Sequence, residues 1–456
     1  MKDKKVFLML MGVVLLLLLS PLIFNIGFFD KVFTSGVTYF NLIELNSVDS
    51  SLPFFDRVFN HNFFHVVLDL LNLDDVLLAL FVPLVSGLLS VLLVFLISRK
   101  LNLSDNETVF IIALFVLSPI FLHKFTTLNP DNFAFPLFLL TVLLYFERYS
   151  FFAIVPLILL SFINPVFSVV FVLFLVMQLL LKNGSKVVNF VLIFVGIIFS
   201  VLSFFFNLVP EFVSSVNLDD VLIEFGSLSG YSIPLIILSA VGVFSWWGKR
   251  VDKTLVVSSL FAGFVISFFL PDARLVVALG LGVFAGLGIN HLISLRWELA
   301  EIKNISLMLI FYIILFSSIV TINTQVTQVN ALEVEAAKFL ASLNSEGVVL
   351  STSDKGFMIE YLSGKQVFLD GNSFRDRDYL DKKSVMDDIF YARLLSDLTS
   401  ALEDNNIKYL FIHKSMRDGD VWTSRQEGLQ FFLIYSENFI SLFDNEIVQI
   451  YMFVPD

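Results

Sequence analysis

The chain has 456 residues, 57% of them hydrophobic and 54 of them Phe, with a mean hydropathy of +0.86. So much apolar surface excludes an ordinary soluble domain and implies a polytopic membrane protein. The formal net charge is −12 and there is no Cys, which argues against a nucleic-acid partner and excludes disulfides, thiol catalysis and Cys-ligated metals.

Met1 to Lys5 is basic and Val6 to Phe28 is apolar. The run is longer than a signal-peptide core and ends in Phe-Phe-Asp, so it reads as a retained first span. Further apolar runs follow at 76–98, 109–122, 132–146, 150–164, 165–181, 187–209, 232–247, 254–270, 275–295 and 304–322, giving about eleven spans by length. With the N-terminus inside, thirteen Lys and Arg fall on the cytoplasmic side, whereas the outer loops hold only Lys31, Arg57, Lys124 and Arg274. This positive-inside bias and the odd number of spans together place the C-terminus outside. The expected location is therefore the plasma membrane, multi-pass, with a cytoplasmic N-terminus and an extracytoplasmic C-terminal domain.

The first outer loop, residues 29–75, is too long for a simple hairpin. It carries Asp30, Glu44, Asp49, Asp56 and Asp69. Its apolar residues, Phe40, Leu42, Ile43 and Leu45 and then Phe63, Phe64, Val67 and Leu68, suggest amphipathic helices lying on the membrane surface. His61, His65 and Asp69 would share one face of a helix, a spacing that can hold a metal but more often marks the polar side of a surface helix. No Asp, Glu, Lys or Arg lies inside the apolar runs. Ion-coupled transporters usually need charges at mid-membrane depth, so a transporter is the least favoured class. Gly280, Gly282, Gly286 and Gly288 read as a close-packing face between spans.

From Asn323 onward the pattern changes, and 12 Lys and Arg face 21 Asp and Glu. Helices are expected at Glu333 to Leu343, Gly356 to Leu362 and Arg393 to Leu402. Strands are expected at Val348 to Leu350, Gln366 to Leu369 and Lys408 to Ile412, and a hairpin from Phe439 to Val454 turning at Asp444-Asn445. This alternation predicts a small α/β domain with a mostly parallel sheet. The expected division is 1–322 for the membrane domain and 323–456 for a soluble extracytoplasmic domain.

Taken in order, several short stretches resemble the GT-C membrane glycosyltransferases, above all the catalytic subunit of archaeal oligosaccharyltransferases. Val37-Thr38-Tyr39-Phe40-Asn41-Leu42 resembles the family's Asp-Pro-Tyr-Phe-Asn element, with Val37 at the position of the acid. Leu52-Pro53-Phe54-Phe55-Asp56 resembles the Pro-x-x-Asp stretch after it. Asn129-Pro130-Asp131-Asn132-Phe133 resembles the paired-acid element, keeping Asp131 and placing Phe133 where the second acid falls. Ser215 to Asp220 lies where the family carries a Thr/Ser-Val-x-Glu element, with Asp219 or Asp220 in place of the Glu. Pro271-Asp272-Ala273-Arg274 resembles the outer-face Arg that grips the carrier phosphate. Ser353-Asp354-Lys355-Gly356 resembles part of the Trp-Trp-Asp-Tyr-Gly element that reads the acceptor, keeping Asp354 and Gly356.

The resemblance implies a GT-C-like polytopic α-helical membrane protein of about eleven spans with a small C-terminal extracytoplasmic α/β domain. It implies transfer of a sugar or oligosaccharide from a polyprenyl- or dolichyl-phosphate-linked donor to an extracytoplasmic polypeptide or glycan, as in protein glycosylation. The implied catalytic residues are Asp56, Asp131, Asp30 and Glu44. Arg274 and Lys124 would bind the lipid phosphate, and Asp219, Asp220, Asp354 and Gly356 the acceptor. Asp56 and Asp131 would share a divalent cation, Mg²⁺ or Mn²⁺, since hard cations take carboxylate oxygens. Guanidinium suits the phosphate because it binds it bidentately and stays charged. The substitutions at Val37 and Phe133 leave a second reading open: a catalytically inactive relative that binds carrier lipid or partners an active transferase.

Overall fold

A computed structural model describes residues 2–29, 33, 35–48, 52–53, 57, 61–147, 150–181, 185–205, 222–223, 230–246, 251–371, 373 and 378–455. The chain divides into two compact units, one of residues 1–24 and 47–326, the other of 25–46 and 327–456.

The first unit is helical. Each of the eleven apolar runs forms helix. Four of the described helices are long and apolar enough to cross a membrane: 75–100, 186–203, 271–294 and 300–325. The run at 109–122 is a pair, α5 (Asp105–Val116) and α6 (Pro119–Thr126), bent by 63°. Ser118 ends one helix by donating to the Phe115 carbonyl and starts the next by accepting from Phe121 N–H, and Pro119 at the first helical position cannot continue the α5 ladder. Of the other six runs, two form the helices α1 (Lys2–Phe29) and α12 (Val251–Phe269), and four form apolar helices of 10–16 residues. At 1.5 Å per residue, such helices fall short of a hydrocarbon core of about 30 Å. They are α7 (Asp131–Phe146), α8 (Ile154–Ile163), α9 (Pro165–Leu180) and α11 (Ile233–Trp246).

Aromatic side chains fill the middle of this unit. Phe115, Phe121, Phe125, Phe135, Phe167 and Phe171 are fully buried. Their rings, together with that of Phe138, meet at 4.7–6.4 Å, tilted or edge-on, the arrangement the ring quadrupole favours. The glycine row does what its spacing suggests. On α13 (Arg274–Ser294), Gly288 crosses Gly242 of α11 so closely that a Cβ at Gly242 would stand 1.8 Å from the Phe284 carbonyl oxygen. Gly286 faces Ile111 of α5 and Gly282 faces Phe115.

In the second unit, β3 (Val348–Leu350), β4 (Ile407–His413), β5 (Phe439–Asp444) and β6 (Val448–Phe453) form one sheet in the order β3-β4-β6-β5. Only β3 and β4 run parallel; the other two pairings are antiparallel. The expected mostly parallel sheet is thus a mixed one. The hairpin supplies two of the four strands, and Gln366 to Leu369 contributes a single bridge at Val367 rather than a strand. Leu350, Ile389, Phe390, Leu402, Leu410 and Trp422 lie in the core, where the Trp422 indole donates to the Phe390 carbonyl at 2.8 Å.

The first-loop helix α2 (Gly36–Asn46) belongs to this second unit and packs on α16 (Ser353–Ser363). Its apolar face was expected to meet lipid. Instead Tyr39, Leu42 and Leu45 are buried, and Tyr39 and Phe40 stack on Tyr361 and Phe357 of α16. The other loop helix, α3 (Phe63–Leu71), buries Phe64, Val66 and Leu68 in the first unit, with Leu70 and Leu71 exposed.

Candidate functional site

The short segment between α6 and α7 is held by its own asparagines. Asn129 N–H donates to the Asn132 side-chain oxygen at 2.9 Å, while Asp131 N–H donates to the Asn129 side-chain oxygen at 3.0 Å. The side-chain amides of both Asn129 and Asn132 donate to the Lys124 carbonyl, each at 2.8 Å. Satisfying these buried groups locally frees the loop from needing water or a strand partner. It also fixes Lys124, at the end of α6, beside Asp131, at the start of α7.

The Lys124 ammonium lies 2.5 Å from Asp131 Oδ2, and the Asp131 side chain is 3% exposed. Its other oxygen, Oδ1, accepts from the side-chain amide of Asn164 at 3.1 Å. Asn164 caps α9, accepting from Val166 N–H at 3.1 Å through its oxygen, which leaves the NH₂ end facing Asp131. The Asp131 side chain is therefore buried between a cation and an amide donor.

Arg274 opens α13 at the end of the short turn Pro271–Ala273, and that turn packs against α9, the helix capped by Asn164. The side chain is 5% exposed. Its Nε donates to the Ser267 carbonyl at 3.1 Å, and the Tyr231 hydroxyl bonds Ser267 Oγ at 2.8 Å. The strand carrying Tyr231 also packs on α6, the helix of Lys124. Close by on α6, Thr126 Oγ1 and His123 Nδ1 engage the fully buried Gln325 at 3.0 and 3.3 Å.

The other expected residues are distributed as follows. Asp30, Asp56, Asp219 and Asp220 lie outside the described residues. Glu44 sits in the second unit, where its charge, after burial and Asp370, helps raise the Glu360 carboxyl. Asp354 is exposed at the start of α16. Gly356 is buried, and a Cβ there would meet Asp370 Cα at 2.7 Å and the Leu369 carbonyl at 2.8 Å, so packing alone accounts for that glycine. Between them stands Lys355, which sequence reasoning passed over. Its ammonium bonds Glu333 at 2.9 and 3.1 Å, and His413 Nε2 donates to the same carboxylate at 2.7 Å.

Burial would raise the Glu333 carboxyl, but the His413 hydrogen bond, the Lys355 ammonium and the Asn330 N–H together hold it below its ordinary value of 4.5. A carboxyl depressed on folding contributes stability that is present above the unfolded value and lost as the pH falls through the folded one. His65 on α3 is pushed down from 6.5 to about 4 by burial and by His61, so its protonation opposes folding as the pH falls from about 6.5 towards 4. Acidification is thus expected to lower the melting temperature progressively below about pH 6.5, as thermal unfolding in detergent can check. Glu333→Gln should flatten the lower part of that profile.

Among the described residues no group of three or more His, Asp or Glu is placed to hold a metal. The spacing of His61, His65 and Asp69 does not make one, because Asp69 is paired with Arg57 at 2.5 Å. Asn164 and Lys355 were missed as site residues. The one signal for Asn164 was a lone polar residue before Pro165 between two apolar runs.

No family model matches the sequence, and no curated protein matches it significantly. Solved structures do match in fold. The oligosaccharyltransferase of Archaeoglobus fulgidus in its apo form aligns with a TM-score of 0.61 at 12% identity, over 90% of this chain and 70% of that one. The arabinofuranosyltransferase AftD from Mycobacteria aligns at 0.55 and 14%, over 99% of this chain and 40% of that one. ArnT from Cupriavidus metallidurans, bound to undecaprenyl phosphate, aligns at 0.53 and 12%, over 98% of each chain. At 12–14% identity, the likeness to these three membrane glycosyltransferases is one of fold.

Proposed function

We propose that this protein is an integral-membrane glycosyltransferase that takes sugar from a polyprenyl-phosphate-type carrier. The observation that carries this reading is the buried Lys124–Asp131–Asn164 cluster, on a fold shared with enzymes of lipid-linked sugars. ArnT in the matching structure holds undecaprenyl phosphate, and the archaeal oligosaccharyltransferase has been captured with an inhibitory peptide and a dolichol-phosphate. The polar contacts between elements support the topology. Lys124, Asp131 and Asn164, all expected at the outer face, meet one another, and Gln325, expected there too, meets Thr126 and His123, whereas Glu107–Asn290 and Lys100–Glu147 join residues expected inside. A reporter fused after Asp456 is expected to be active only outside the cytoplasm.

In the transfer, the bond between the sugar's anomeric carbon and the phosphate oxygen breaks, and its electron pair leaves with the lipid phosphate. A bond forms from the acceptor heteroatom to the anomeric carbon, and the acceptor proton passes to a carboxylate. Arg274 and Lys124 supply positive charge for the departing phosphate. Asp131 orients Lys124, and Asp56 and Asp30 are the candidate bases from the first loop. Of the two expected ligands of a divalent cation, Asp56 lies outside the described residues and Asp131 is engaged by its neighbours. One carboxylate oxygen is on an ammonium, the other on an amide N–H, and no further described carboxylate joins them. No step is therefore routed through a metal.

A second reading has its own observation. Phe133, where the family's second acid falls, packs its ring on Phe64 at 5.5 Å, so that position has been given over to apolar packing. This favours an inactive relative that binds the carrier without transfer. Assaying transfer from a polyprenyl-phosphate sugar to peptide and glycan acceptors separates the two. The enzyme reading expects turnover that falls by about a hundredfold or more in Asp131→Asn. Carrier binding with no turnover in the parent would establish the inactive relative instead.

A further inference from the structure

Arg274 is held by a carbonyl that the sequence itself sets free. Within a helix the Ser267 carbonyl would accept from the N–H of residue 271, four places on. Residue 271 is Pro, which has no N–H. Helix α12 ends just before it, where the Leu270 N–H bonds the Ile266 carbonyl at 3.0 Å. The vacated Ser267 carbonyl accepts instead from Arg274 Nε at 3.1 Å. A carbonyl at the C-terminal end of a helix carries the negative end of the macrodipole, which suits a guanidinium. The Ser267 side chain is held in turn. Its hydroxyl donates to the Phe264 carbonyl at 2.7 Å, so its one proton is committed, and Oγ accepts from the Tyr231 hydroxyl at 2.8 Å. The same Tyr231 oxygen lies 3.4 Å from the Arg274 carbonyl. One phenol therefore reaches both sides of the Arg274–Ser267 contact. Tyr231 is itself fixed. Its strand, Tyr231–Ser232, pairs in parallel with Leu222–Ile223, and its ring lies 5.3 Å from that of Phe264. Tyr231, Ser267 and Arg274 are all buried.

We infer that Tyr231 is the positioning residue of Arg274: its hydroxyl locks Ser267, whose carbonyl fixes the guanidinium through Nε. A planar fork held by Nε has its plane set before any anion arrives, and bidentate recognition depends on that plane. What the guanidinium meets rests on the carrier-lipid reading above. How it is held does not.

Two measurements on the full chain in nanodiscs test this with Tyr231→Phe, which keeps the ring and its packing and deletes only the hydroxyl. The first needs no ligand. In protein carrying isotope-labelled arginine, the Arg274 Nε–H resonance is identified by its absence from Arg274→Lys. It is expected to exchange with solvent about fivefold faster in Tyr231→Phe than in the parent. Unchanged exchange would overturn the positioning role, whatever the lipid does. The second is the preference for polyprenyl phosphate over polyprenyl alcohol. Tyr231→Phe should lower it about fivefold, the scale of one hydrogen bond, and leave alcohol binding as it is. In the Arg274→Ala background the same substitution should change nothing further. An equal drop with and without Arg274, or an equal drop for phosphate and alcohol, would contradict the inference and make Tyr231 a packing residue. Should Tyr231→Phe fail to fold, Ser267→Ala removes the same hydrogen bond from the accepting side while keeping the carbonyl, and it is expected to give both results. If the parent does not prefer the phosphate, the carrier reading falls, and the exchange measurement still decides whether Tyr231 positions Arg274.

Discussion

Lys124→Met is expected to destabilise the protein by about 3–5 kcal/mol, the usual cost of stranding one partner of a buried ion pair. The cause is not the loss of attraction alone. Asp131 is almost wholly buried, so its carboxylate would keep the Asn164 amide but lose the ammonium beside it. Asp131→Asn should cost less, because the Lys124 side chain is partly exposed and the Asn129 and Asn132 bonds survive. The double variant Lys124→Met/Asp131→Asn should recover much of the loss, giving a coupling energy of about 1–3 kcal/mol in a double-mutant cycle. Thermal unfolding in detergent reads all three. Additive single effects would show that the pair is not formed.

The second large effect is expected at the crossing of α11 and α13. Gly242→Val would drive two methyl groups into the Phe284 carbonyl, where even a Cβ stands at 1.8 Å. No rotamer relieves a clash with backbone, so the helices must separate and lose the close approach that small residues allow between spans. Overpacking of this kind costs about 1–3 kcal/mol and more where backbone must move. Gly12→Val, at a position with open space around it, is the control and should be nearly silent. Equal behaviour of the two variants in unfolding would contradict the observed crossing.

Much of this architecture was legible in the sequence because it is written in apolar runs. All eleven became helices, since a bilayer leaves few other ways to satisfy the backbone. Their lengths as helices were not legible. Ser118-Pro119 cuts the run at 109–122 into two short helices, and what an apolar residue touches cannot be read from its polarity. For the same reason the apolar face of α2 could be read as an amphipathic stripe but not assigned to α16 rather than to lipid. In the candidate site, Asp131 and Lys124 were found singly by type and position. Their pairing was not, because it depends on how Asn129 and Asn132 fold the segment between Lys124 and Asp131. Asn164 was invisible as a partner, being 33 residues away. In the second unit, Asp354 and Gly356 drew attention by resemblance, while the charged contact is made by their neighbour Lys355.

The central claim is that this GT-C-fold protein handles a lipid-linked phosphate through cations at one end of its helices. The most direct measurement is a titration of the purified full chain, in nanodiscs, with a polyprenyl phosphate against the same polyprenyl alcohol. The parent is expected to bind the phosphate and to prefer it clearly to the alcohol. Arg274→Ala should reduce that preference about tenfold, and Arg274→Lys should restore only part of it, since a point charge replaces a bidentate fork. Equal binding of phosphate and alcohol by the parent, or an unchanged preference in both Arg274 variants, would contradict the account.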